Sequence, residues 1–341
     1  MVRIISLWCL AVGSVVNWGA QTPSARMPHR RLMLVVSKGL PGMRLYDADT
    51  EESICYARTA ISPHEAAFSL DGKYAYLPVY GSTAVGQAGT DEHVVHFIRT
   101  SDCKEVGSLD TGENKRPHGI AVGRSGTVYL TAEIAQSVLL IAPQERRIIA
   151  KIPTGSPYSH MIAVTRDEKL IYVSNVQSKT VSVLDIPNRN LAAVIQTGSE
   201  NQRMTLSPDE RWFVTNLGAE RKIAFYRTSD NQLDFTISVD GTPFVSKFSA
   251  NGEYLYNAGH EQGHIRAWKI DVGQRKVVGK TREDLGRDAG SLEVNPFNHV
   301  VYVSDQDTNR ISEIDPESWT LKKQLSTDKR PDAMSFVAVQ E

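Results

Sequence analysis

A seven-bladed β-propeller, all-β with four-stranded antiparallel blades, is the fold the sequence predicts, and three observations predict it. An apolar residue recurs at Phe68, Val122, Val164, Leu206, Phe248, Val294 and Phe336, at spacings of 54, 42, 42, 42, 46 and 42 residues. A fixed period near 42 is the length of one propeller blade stacked on copies of itself. Within each period, short segments rich in β-branched and aromatic residues alternate with Gly, Asn, Asp and Pro turns, and no 3.6-residue pattern is sustained. The repeat opens on second, third and fourth strands (32–37, 43–47, 54–58) and ends on a lone first strand (333–339). Pairing the last strand with the opening three would close the ring and leave no free edge.

In chain order, Arg3 followed by the apolar run 4–16 and an Ala20-Gln21 junction reads as a signal peptide over 1–20. Residues 21–31 read as a disordered lead-in, and 32–341 as the propeller. The copy beginning at His160 shows the unit plainly: strand 161–164, turn 166–169, strand 170–174 (LIYVS), turn 177–179, strand 180–185 (TVSVLD), turn 187–190, strand 192–196. The 54-residue first spacing is explained by the loop 81–93 (GSTAVGQAGTDEH), whose small residues suit a flap on the face beside His64. HEQGH at 260–264 matches a zinc-protease motif in letters only. It falls between two strands, whereas that motif needs a helix to bring both His to one face.

The 38 Lys and Arg against 39 Asp and Glu leave a net charge of −1 with no basic stripe, which argues against nucleic acid as a partner. No second long apolar run follows the signal, so no membrane span is expected after its removal, and the location expected is periplasmic or secreted. A monomer is expected. Once Cys9 leaves with the signal, Cys55 and Cys103 remain, either as a disulfide or as two free thiols.

The stretch IYVSNVQSKTVSVLDIPNRNLAAVIQTG (171–198) resembles the YVTN-type repeat of bacterial seven-bladed propellers. PHEAAFSLDGKYAYLPVYG (63–81) and PHGIAVGRSGTVYLTAE (117–133) are similar to the same repeat. TPFVSKFSANGEYLYNAG (242–259) resembles lactonase-like propellers of the phosphogluconolactonase kind. The resemblance covers about 32–339 and implies the fold. It leaves the function open, because such propellers include enzymes, binding scaffolds and surface proteins.

In a propeller the innermost strand of each blade starts on one face and the next strand returns to it. The residues at those positions therefore share a rim: His64, His118, His160, Gln202, Phe244, Gly290 and Asp332, joined by Tyr80, Glu133, Asn175, Asn216, His260 and Asp305. Three imidazoles and an amide at one register could converge on a divalent metal (Mn, Zn, Ca or Fe), neutral imidazole being the commonest protein ligand for Zn, Cu, Fe and Ni. Oligogalacturonate lyases, also propellers, use a three-His-plus-Gln metal site, and the chain is similar to them in ligand types only. Two other readings stand beside the metal: a ligand-binding rim without one, and histidines that merely bond neighbouring backbone. In the catalytic reading Glu133 or Tyr80 moves protons, while Arg116, Asn175, Asn216, Phe244, His260 and Asp305 contact substrate. Glu65 is expected to point away from the channel by strand alternation. The function expected is metal-dependent hydrolysis of a lactone type, or β-elimination, of a small molecule or oligosaccharide. The alternative is a non-catalytic scaffold binding a protein on the funnel face.

Overall fold

The C-terminal strand Pro331–Val339 completes the N-terminal blade, pairing antiparallel with Arg30–Ser37 from Arg30↔Val339 to Ser37↔Pro331. That blade continues through Gly42–Asp47 and Ser53–Arg58. The computed structural model describes residues 30–82 and 84–339, and the expected signal segment and most of the lead-in lie outside them. Arg30 and Arg31, placed in the lead-in by sequence, are strand residues. The described residues form seven four-stranded antiparallel sheets, and their one helical element is the 3-10 turn Gly218–Glu220. None of their helices is long and apolar enough to cross a membrane. We number the blades 1 to 7 from this closure blade; blades 2 to 7 begin at Ala67–Phe68, Pro117–Val122, Ser159–Val164, Met204–Leu206, Thr242–Phe248 and Ala289–Val294.

Inner strands read as continuous apolar runs because both of their faces are buried between blades. In Arg30–Ser37, Leu32, Leu34 and Val36 join the cluster shared with blade 2, whereas Met33 and Val35 join the cluster shared with blade 7. The same alternation in blade 4 sends Tyr172 towards blade 5 and Ile171 and Val173 towards blade 3. Cys55 and Cys103 form a disulfide, Cα–Cα 5.8 Å, that ties the outer strand of blade 1 to a turn of blade 2.

Two features aim the rim at the channel. In blades 3, 4, 6 and 7 the strand register shifts where His118, His160, Phe244 and Gly290 stand, between Pro117 and Ile120, Ser159 and Ile162, Pro243 and Val245, Ala289 and Leu292. Such a bulge releases a residue from the ladder and re-aims its side chain. Rim carbonyls also accept hydrogen bonds from the preceding blade. Thr131 Oγ1 donates to His160 O (2.6 Å), Ser174 Oγ to Gln202 O (3.1 Å), Asn216 Nδ2 to Phe244 O (3.0 Å) and Ser304 Oγ to Asp332 O (3.2 Å).

Candidate functional site at the channel mouth

His64, His118, His160 and Tyr80 form one aromatic cluster. The His118 and His160 rings stack with centroids 3.9 Å apart, His64 stands edge-on to His118 at 5.3 Å, and Tyr80 stacks on His64 at 4.8 Å. His118 and His160 are buried and His64 is half-buried. His160 Nδ1 lies 3.2 Å from the Gln202 carbonyl. A carbonyl only accepts, so the proton sits on Nδ1 and Nε2 is the acceptor. His118 Nδ1 is buried with no hydrogen-bond partner among the described residues. Burial is the main cause that lowers the pKa of all three rings. His64 falls to about 4, with Lys38 next in effect, His160 to about 3, with Arg203 next, and His118 well below its usual value, helped by the other two imidazoles. The rings are uncharged at neutral pH.

Beneath them a charged layer closes the channel. Arg203 of blade 5 crosses the ring to Glu65 of blade 2 (Nη1–Oε1 3.0 Å) and Asp332 of blade 1 (Nη2–Oδ1 3.2 Å), and Lys38 reaches Asp332 Oδ2 at 2.9 Å. Glu65 thus enters the channel, against the expectation from alternation. Residues 61–66 are not in a strand apart from a single bridge at Pro63, so alternation does not apply there. Arg203 and Lys38 were missed in the sequence, although Arg203 directly follows the rim residue Gln202.

Other expected site residues are taken up in structure. The Gln202 side chain is exposed, and its carbonyl, not its amide, meets His160. Glu133 is enclosed: it accepts from the Tyr80 hydroxyl, from Gly86 N–H (3.0 Å) and from Arg116 Nη1 (3.2 Å). Arg116 also holds Asp91 and the Gln87 carbonyl, and Gln177 Nε2 holds the Val85 carbonyl at 3.0 Å. Glu133, Arg116 and Gln177 therefore clamp the flap, which reaches from blade 2 across blade 3 to blade 4. The Tyr80 hydroxyl is pushed well above its usual pKa, first by burial and then by Glu133. Asn175 spends its amide on Ser159, Thr180 and Ser182, and Asn216 on Ser246, Asn257 and two carbonyls. Asp305 caps its own loop by accepting from the N–H groups of Arg287, Asp288, Asp307 and Thr308. His260 Nε2 accepts from Ala289 N–H at 3.2 Å, and its HEQGH segment forms a hairpin with Glu261 opposite His264. Phe244 lies under the Arg203 guanidinium at 5.6 Å and, with Gln202 and Asn216, lines a cleft of about 420 Å³ on the same face.

The two closest imidazoles stack with their planes 28° apart, an arrangement that does not by itself bring three ring nitrogens to one point. Among the described residues no three His, Cys, Asp or Glu side chains are arranged to hold an ion.

No family model and no curated protein matches the chain. Solved structures do match its fold. The Pseudomonas aeruginosa periplasmic gluconolactonase PpgL is 15% identical with a TM-score of 0.73, over 91% of this chain and 100% of that one. A candidate 6-phosphogluconolactonase from Bacteroides fragilis is 18% identical with a TM-score of 0.71, over 93% and 100%. Dihydro-heme d1 dehydrogenase NirN in complex with DHE is 16% identical with a TM-score of 0.66, over 89% and 74%. At these identities the likeness is one of fold.

Proposed function

We propose that the chain is an exported propeller enzyme that opens the lactone ring of a small, sugar-derived molecule at the mouth of its channel. The observation that carries this reading is the meeting of three uncharged imidazoles beside Lys38 and above Arg203. Two relatives in fold bear lactonase names, which supplies the reaction class, and one is described as periplasmic. His160 Nε2, the free acceptor of its ring, accepts a proton from the attacking water as the water oxygen bonds to the lactone carbonyl carbon. The oxyanion forming beside it raises its basicity above the low value that burial gives it. The ring C–O bond then breaks, the proton passes to the departing alkoxide, and the carboxylic acid so formed releases its remaining proton to bulk water, leaving a hydroxyl and a carboxylate. Lys38, paired with Asp332, is the cation offered to the developing anion, and its charge also helps keep the His64 ring neutral. His64, the most accessible of the three rings, hydrogen-bonds substrate hydroxyls, and the clamped flap shields the cluster from bulk water.

The test is the rate of glucono-δ-lactone opening over its spontaneous hydrolysis, with His160→Ala and His64→Ala as variants. We expect wild-type acceleration, a fall to background in His160→Ala and a smaller loss in His64→Ala. Acceleration abolished by a chelator and restored by Mn or Zn would return the metal reading. No acceleration by the wild type would sink the lactonase reading and favour the binding scaffold.

A further inference from the structure

On the face opposite the imidazoles, the first strands of blades 2 to 7 end in turns beside the preceding blade. Five of these turns are equivalent, SLDG (69–72), GRSG (123–126), TRDE (165–168), SPDE (207–210) and SANG (249–252), each closed by its fourth N–H donating to its first carbonyl. The fourth residue decides whether the gap between blades is filled. Glu168 fills the gap between blades 3 and 4, its carboxylate accepting from Ser125 N–H (2.6 Å), Ser125 Oγ (2.7 Å) and Tyr129 OH (2.7 Å). Glu210 does the same between blades 4 and 5, accepting from Arg166 N–H at 2.6 Å. Gly72 is packed by Val337 and Val339, and Gly252 lies against Pro208. Gly126 has φ +84, the left-handed region of the two glutamates, yet a Cβ there would meet nothing within 4 Å.

The unfilled gap between blades 2 and 3 is a cavity of about 600 Å³. Leu70, Tyr74, Tyr76, Phe97 and Val122 give it apolar and aromatic walls, and Leu70 and Tyr74 are 58% and 39% exposed. Arg146 stands in its lining. That guanidinium lies 5.8 Å from the Phe97 ring and donates to the Val106 carbonyl at 2.7 Å, and no carboxylate pairs with it among the described residues. Asp71, also in the lining, is turned into its own turn, accepting from Ser69 Oγ (2.6 Å) and Lys73 N–H (3.0 Å). A cavity of this size with apolar walls and one convergent charge has the composition of a small-molecule site.

We propose that this gap is a second ligand site, separate from the imidazole rim, for a small amphipathic carboxylate. Its aromatic or branched apolar body fills the slot that Glu168 and Glu210 occupy in the next two gaps, and its carboxylate meets Arg146. Calorimetric titration with 2-naphthoate, and with neutral 2-naphthylmethanol as control, tests it on the full chain. We expect one saturable 2-naphthoate site, unaffected by saturating gluconate. Gly126→Glu, patterned on Glu168, should abolish binding without lowering the melting temperature. Arg146→Gln, on an exposed side chain, should weaken 2-naphthoate about tenfold and leave 2-naphthylmethanol unchanged. Absence of a 2-naphthoate site in the wild type, equal binding by both variants, or displacement by gluconate would overturn the proposal.

Discussion

Arg203 pairs with Glu65 and Asp332, both buried, from the opposite side of the ring, and Lys38 shares Asp332 with it. Removing one partner of a buried pair leaves uncompensated charge, which costs about 3–5 kcal/mol. Arg203→Met should therefore lower stability by up to that order at pH 7 in denaturant unfolding, and by less at pH 5, where Glu65, whose carboxyl pKa burial raises to about 7, is protonated and Asp332 keeps Lys38. A variant as stable as wild type at pH 7 would show that the layer is not structural. The imidazoles above it make a second prediction. Their folded pKa values lie below the unfolded value of about 6.5, so the native state binds fewer protons and acid favours unfolding. Their stabilising contribution is complete above about pH 6.5 and is lost as pH falls towards 4 and 3, by up to about 1.4 kcal/mol per pH unit per ring. Melting temperature measured against pH should fall over that window, less steeply in His160→Gln. The His were legible because one register repeats them at a fixed period. Arg203 and Glu65 were not, because strand parity places them off the channel and only the irregular backbone at the rim turns them in.

Among the elements, the flap is defined by what holds it. Glu133, Arg116 and Gln177 come from blades 3 and 4 and grip a loop inserted in blade 2. The sequence made the loop visible as an excess of residues and placed it beside His64, but a partner 92 residues away leaves no local trace. Glu133 looked like a catalytic group and Arg116 like a substrate contact for the same reason they make good anchors: charged residues at strand ends on the rim. Glu133→Ala should release the Tyr80 hydroxyl, the Gly86 N–H and one side of Arg116. Limited proteolysis should then cut within 82–90 much faster than in wild type, with the seven blades intact by circular dichroism. Unchanged cleavage would mean the clamp is not what orders the loop.

At the scale of the whole molecule, closure by strand exchange was readable because a repeat has a phase, and a chain that begins in mid-phase must end on the missing strand. Deleting 332–341 removes most of Pro331–Val339, exposes the edge of Arg30–Ser37 and strips Asp332 from the channel layer. The truncated protein should melt far below wild type or aggregate, and equal melting as a monomer would contradict the closure. Function was less legible than fold, since stacking of the three rings depends on where seven blades bring their first strands together. In the proposed reaction these rings form an uncharged cluster that a ligand reaches. Imidazole-selective nitrogen NMR of His64, His118 and His160, taken from pH 8 to 4 with and without gluconate, tests it most directly. Neutral-ring signals should persist down to about pH 5, with shifts in at least His64 and His160 when gluconate is added. Rings that protonate near pH 6.5 and ignore gluconate would contradict it.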